Sequence, residues 1–140
     1  MSRYIKFIVF VVALIVPSLA AADNGKFSAS GLSDSQVHNF FLQLKAAVNE
    51  HDVKKIASMV SYPLLVNGKG SVKNPTDFIF HYSAIFTDKV VNAINQQSYG
   101  KLWGNYQGMM IGNGELWFAG ICSDRSCSKY VVKITSINNG

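Results

Sequence analysis

Apolar residues recur along this chain with three different spacings, and each spacing predicts a different element. The first is unbroken. Phe7 to Val16 is a run of ten apolar residues, preceded by Arg3 and Lys6 and broken by Pro17 and Ser18. The second is helical. Val37, Phe40, Phe41, Leu44 and Val48 fall on one face of a 3.6-residue period. Ser33 and Gln36 form an S-x-x-Q capping box at its start, and Leu32 is placed to staple onto Val37. Asn49-Glu50-His51 interrupts that face, and Asp52 then caps a shorter helix carrying Val53, Ile56, Ala57 and Val60. Asn74-Pro75-Thr76-Asp77 starts another: a cap, a proline at the first helical position, and an acid that favours the helix dipole. Phe78, Tyr82, Ile85 and Phe86 form its inner stripe. Thr87-Asp88 opens a further helix with Val90, Val91 and Ile94 inward.

The third spacing is strand-like. Tyr62 to Val66 is short, apolar and partly β-branched, with Pro63 at its start, where a missing N–H is tolerated. Asn67-Gly68 is a strong turn signal, and Lys69 to Val72 returns from it. After Gly100 four β segments follow: Leu102-Trp103, Tyr106 to Ile111, Leu116 to Cys122, and Cys127 to Ile137. Gly112-Asn113-Gly114 makes a tight hairpin between two of them. In the last, Tyr130, Val132 and Ile134 alternate with Lys129, Val131 and Lys133, so one face is buried and the other partly wet. Helices first and antiparallel strands last predict an α+β domain, with N-terminal helices packed on a curved, mainly antiparallel sheet. Residues 33–140 form one domain without internal repeats, and the polar, Gly/Ser-containing residues 23–32 read as a flexible leader.

The N-terminal run has the n-region, h-region and Ala20-Ala21-Ala22 cleavage site of a secretory signal peptide over residues 1–22. It is too short to span a bilayer, which takes about 20 residues. No cysteine adjoins the cleavage site to carry a lipid, and no later stretch is long and apolar enough to span. The chain is therefore expected in the periplasm, with no stable membrane anchor after cleavage. The formal net charge is +5, and Arg3 and Lys6 leave with the signal. There is no Lys/Arg run and no RNA-binding motif, which argues against nucleic acid as a partner. A mild attraction to acidic surfaces remains.

Export makes a disulfide the default pairing for the two cysteines, Cys122 and Cys127. Their flanking segments place them as a cross-strand link at the base of a C-terminal hairpin loop. The C-x4-C spacing is not the C-x-x-C of oxidoreductases, and no second ligand pair accompanies it for zinc.

Three phrases carry a resemblance: Tyr62-Pro-Leu-Leu-Val, Asp77-Phe-Ile-Phe-His-Tyr-Ser-Ala-Ile-Phe, and Gln107-Gly-Met-Met-Ile-Gly-Asn-Gly-Glu-Leu-Trp-Phe. Together with the element order over about Ser33 to Ile137, they are similar to exported bacterial members of the nuclear transport factor 2-like superfamily, a cystatin-like α+β cone. The resemblance implies a cone that often holds a pocket between sheet and helices. Tyr62, His81, Tyr82, Trp103, Tyr106, Met109, Trp117 and Phe118 are the candidates to line it here. The same residues equally suit an aromatic core. Catalytic members of the superfamily use an Asp–Tyr or Asp–His arrangement inside the cone.

No such arrangement stands out in this chain. Asp34, Asp52, Asp77 and Asp88 all lie at helix starts, Glu115 follows a Gly-Asn-Gly turn, and Asp124 sits in the disulfide loop. Each has a structural role before a catalytic one. His38, His51 and His81 lack the partner spacing of metal ligands. His81, beside Tyr82, is the best placed of the three for a pocket. No G-x-S-x-G, H-E-x-x-H, P-loop or dinucleotide fingerprint is present. Neither metal nor cofactor is expected.

Two surface features remain: Lys54, Lys55, Lys69 and Lys73, read as a solvated face, and the loop Ser123-Asp124-Arg125-Ser126. A clamped loop with Asp124 and Arg125 suits partner recognition, because little ordering entropy is lost on binding. The expected function is that of a non-catalytic periplasmic protein that binds and inhibits a protein partner, such as a cell-wall-acting toxin. The alternatives are a small-molecule binder or enzyme using an aromatic pocket, and a self-associating structural subunit of an envelope assembly.

Overall fold

The order of elements follows the order of spacings. The computed structural model describes residues 25–140; the expected signal peptide and its cleavage site lie outside the described residues. The helices are α1 (Asp34–Asn49), α2 (Val53–Ser58), α3 (Pro75–Phe80), α4 (Tyr82–Ile85) and α5 (Asp88–Gln96). The strands are β1 (Val60–Val66), β2 (Gly70–Val72), β3 (Trp103–Asn105), β4 (Gly108–Ile111), β5 (Leu116–Cys122) and β6 (Tyr130–Ile137). They form one curved, open sheet in the order β2-β1-β6-β5-β4-β3. Every neighbouring pair is antiparallel except β1 with β6. This is the expected α+β architecture.

Local chemistry sets the helix starts. Ser33 and Gln36 exchange both hydrogen bonds of a capping box. Asp52 accepts from the Lys55 N–H, and Asn74 from the Asp77 N–H, with Pro75 at the first helical position. Each such cap contributes about 1 kcal/mol. The helices then bury one face each, through residues such as Val37, Leu44, Ile56, Phe78, Val90 and Ile94, against Met109, Ile111, Leu116, Phe118, Ile134 and Ile137 of the sheet.

Five sequence expectations are corrected. Val60 belongs to β1, not to the preceding helix. Met59 ends α2, and its carbonyl accepts from Ile134 N–H at 2.8 Å, so pairing with β6 captures the chain one residue later. Phe78 to Phe86 is two helices broken at His81, although the expected stripe survives: the Phe78 ring lies 5.9 Å from Tyr82 and 5.8 Å from Phe86. Pro63 sits inside β1. It falls where the register with β6 jumps between Val60 and Leu65, so no ladder bond is lost to its missing N–H.

The described part of the leader, residues 25–32, is docked. Phe27 and Leu32 are only 2% and 3% exposed, and the Phe27 ring meets the Tyr99 edge at 5.9 Å. Two apolar side chains with a place to go outweigh the Gly/Ser content around them. The disulfide pairs Cys122 with Cys127 as expected, with the Cα atoms 4.8 Å apart. It is not a cross-strand link, however. Cys122 faces Tyr130 across the ladder, while Cys127 lies in the loop with φ 56°. The bond closes the loop on itself.

Candidate functional site

In-register neighbours on adjacent strands share a face of the sheet. Trp103 pairs with Met110, Met110 with Trp117, Trp117 with Ser136, and Ser136 with Leu65. These five residues form one row across five strands. The adjacent row holds Met109, Phe118 and Ile134, all fully buried beneath the helices. The first row therefore lies on the face that the helices leave uncovered. Trp103 is 50% exposed and Leu65 49%. Met110 and Trp117 are half-buried between them, and the Trp103 ring meets Trp117 in a T-shaped contact at 6.2 Å. The apolar character continues along β5 and β6 through Ala119, Ile121 and Val131. Two shallow grooves mark the face. One of about 260 Å³ is lined by Gln107, Trp117, Thr135 and Ser136. The other, about 350 Å³, includes Ser61, Ile121, Val131 and Lys133.

A bulge sets this geometry. Phe118 pairs with Ile134 but Trp117 with Ser136, leaving Thr135 unpaired as an extra residue in β6. Its hydroxyl donates to the Trp117 carbonyl at 3.3 Å. The extra residue lets Ile134 and Ile137 both face inward despite their odd spacing.

The eight residues expected to line one pocket separate into three places. Met109 and Phe118 sit opposite one another in the core, where the Phe118 ring packs on Phe40 at 4.8 Å. Tyr62 and Tyr82 flank Phe78 on the helical side. The Tyr62 hydroxyl donates to the Ala57 carbonyl at 2.8 Å, and burial pushes its pKa up to about 12. Burial also raises that of Tyr82, which stacks on Phe86 at 5.2 Å. His81 is exposed there, 3.5 Å from the Asp77 carboxylate. Trp103 and Trp117 stand on the open face, and Tyr106 is 79% exposed in the turn between β3 and β4. Alternation could not announce this. Met109 to Ile111 and Leu116 to Phe118 are apolar at every position, so period two gives no direction.

The carboxylates hold local structure. Glu115 accepts from the Asn113 N–H at 2.6 Å within the hairpin turn. Asp77 accepts from the Lys73 N–H at 3.0 Å. Asp34 is not so engaged: one of its oxygens is enclosed without a hydrogen-bond partner, near Tyr99, whose hydroxyl donates to the Asp34 carbonyl. Burial chiefly, and the Asp34 charge after it, raise the Tyr99 pKa. Asp124, expected to face a partner, turns inward. Its carboxylate accepts from the Ser128 N–H at 2.8 Å and from the Ser126 and Ser128 hydroxyls. These bonds to Ser128 foremost hold its pKa below the ordinary value. Arg125 is left exposed at the loop tip.

Among the described residues no Lys or Arg pairs with a carboxylate. Lys26, Lys45, Lys89 and Lys133 instead donate to backbone carbonyls. Lys54, Lys55, Lys69 and Lys73 are exposed. No three His, Cys, Asp or Glu side chains gather to hold a metal ion among the described residues, and no helix there is long and apolar enough to cross a membrane. No protein-family model, curated protein or solved structure matches the chain.

Proposed function

We propose that this chain is a non-catalytic exported protein, periplasmic after loss of residues 1–22, that binds and inhibits a protein partner. The partner class is a cell-wall-acting toxin, which makes the chain an immunity protein. The observation that carries this reading is the row Trp103, Met110, Trp117 and Leu65 on the helix-free face. Trp and Met are enriched at the centres of protein interfaces, where a few aromatic anchors carry most of the affinity. Trp103 in line with Met110, Trp117 and Leu65 makes a continuous apolar stripe, which a covering surface would bury.

Three further observations support it. The space between sheet and helices is occupied by Phe40, Met109 and Phe118 packed on one another, which favours a surface contact over an internal ligand. The carboxylates Asp52, Asp77, Glu115 and Asp124 are engaged in caps and turns. The disulfide accords with an oxidising compartment. Kinship with the nuclear transport factor 2-like superfamily is part of the proposal and rests on the three sequence phrases and the order of predicted elements.

Capture from periplasmic extract with the exported chain tests the reading. One stoichiometric partner is expected, lost with Trp103→Ala and kept with Lys54→Ala. Recovery of none, with and without the neighbouring gene products, contradicts it.

A further inference from the structure

The β5–β6 hairpin runs past the end of β1. β6 pairs with β5 along its whole length, from Tyr130 opposite Cys122 to Ile137 opposite Leu116. β1 joins β6 only from Ile134 onward. Among the described residues Tyr130 to Lys133 is therefore a four-residue edge with no strand beside it. The direction of its backbone groups follows from two hydrogen bonds. Ile134 N–H donates toward β1, to Met59, and the Lys129 carbonyl accepts from Ser123 on the β5 side. Alternation then turns the N–H and C=O of Tyr130 and Val132 toward the unpaired side.

Free edges are ordinarily shortened, bulged, covered or charged with lysine. This one is short and basic, which repels a like edge, while its backbone is held in place. The loop leading into it is closed by the Cys122–Cys127 bond and tied by Asp124 to Ser126 and Ser128. Its residues Val131 and Val132 are β-branched, and Tyr130 and Val131 are 39% and 44% exposed. The 350 Å³ groove between Ser61, Ile121, Val131 and Lys133 opens beside it.

Charge selects the occupant. Arg125, Lys129 and Lys133 stand along the loop and edge, and the one acid of that stretch, Asp124, is taken up by its own loop. A second copy would bring the same positive charges against them. We propose that an extended acidic segment of a partner protein adds as a strand along Tyr130–Lys133. An apolar side chain of that segment enters the groove, and its carboxylates meet Arg125 and Lys129. Backbone hydrogen bonds give such strand addition its affinity, and pockets for alternate side chains give its specificity. The groove opens on the same face as the tryptophan row, but the strand addition is argued from the unpaired backbone of Tyr130–Lys133 and does not rest on that row.

The test titrates the isotope-labelled exported chain with the capped peptide Glu-Thr-Val-Thr-Glu-Thr, whose acids and Val share one face, and with Lys-Thr-Val-Thr-Lys-Thr as control. The acidic peptide is expected to slow amide exchange at Tyr130 and Val132 by at least about tenfold, leaving the indole signals of Trp103 and Trp117 unmoved. Arg125→Glu with Lys129→Glu, two side chains in exposed positions, should weaken that binding about tenfold and favour the basic peptide. Val132→Pro should abolish it; if that variant does not fold, the charge reversal decides. Four results overturn the proposal: no protection at millimolar peptide, equal binding of both peptides, shifts confined to the two tryptophans, or protection that grows with protein concentration alone and so assigns the edge to a second copy.

Discussion

Asp124 accepts hydrogen bonds from Ser126 and Ser128, and these lower its pKa from the ordinary 3.8. A depressed carboxyl pKa stabilises the fold above its ordinary value, and that contribution is lost as pH falls through the folded value. The Ser128 amide is therefore expected to stay protected at pH 3.8 and to lose protection only below it; amide exchange across an acid titration reads this. Tyr62 acts at the alkaline end. Its pKa is raised from 10.0 to about 12, so its contribution is intact below pH 10 and lost as pH rises toward 12. Melting curves in that window should fall more steeply for the native chain than for Tyr62→Phe, which forgoes a hydrogen bond worth about 1 kcal/mol at neutral pH. The caps at Ser33, Asp52 and Asn74 were legible because a cap acts within three residues. The role of Asp124 was not, because its donors reach it only once the loop has closed.

At the scale of elements, β4 and β5 fix which side chains face the core. Gly108 makes their close approach workable. It has φ 133°, and a Cβ there would lie 2.5 Å from the Phe118 carbonyl oxygen. Gly108→Ala should destabilise the domain by about 2 kcal/mol or more, read as a drop in Tm. The two faces of the sheet should respond unequally to truncation. Phe118→Ala removes a fully buried ring and should cost about 3–5 kcal/mol. Trp103→Ala, at a half-exposed position, should change stability by about 0.5 kcal/mol or less. The helical elements were readable from period and cap. The end of α2 was not, since Val60 fits the helical period and only its pairing with Ile134 makes it a strand. The Thr135 bulge has no sequence signal either; it comes from fitting Ile134 and Ile137 against the same core.

At the scale of the molecule, one face of the sheet is closed by helices and the other is open. The α+β class follows from helices preceding strands, and the sequence pattern carries it. The parallel meeting of β1 with β6, which completes the sheet, joins residues far apart in the chain and leaves no local trace. It is this meeting that puts Leu65 in line with Trp117 and Trp103, and that leaves Tyr130–Lys133 uncovered. Aromatic residues that read as pocket or core are thereby divided between a filled interior and an exposed surface. The proposed recognition chemistry lies on that exposed surface.

The most direct test is calorimetric titration of the captured partner into the native chain and into Trp103→Ala, with both first shown to melt at the same temperature. Contact through the open face predicts a loss of at least about 2 kcal/mol in binding, roughly thirtyfold in Kd. Equal affinity of the two chains for the partner would contradict it.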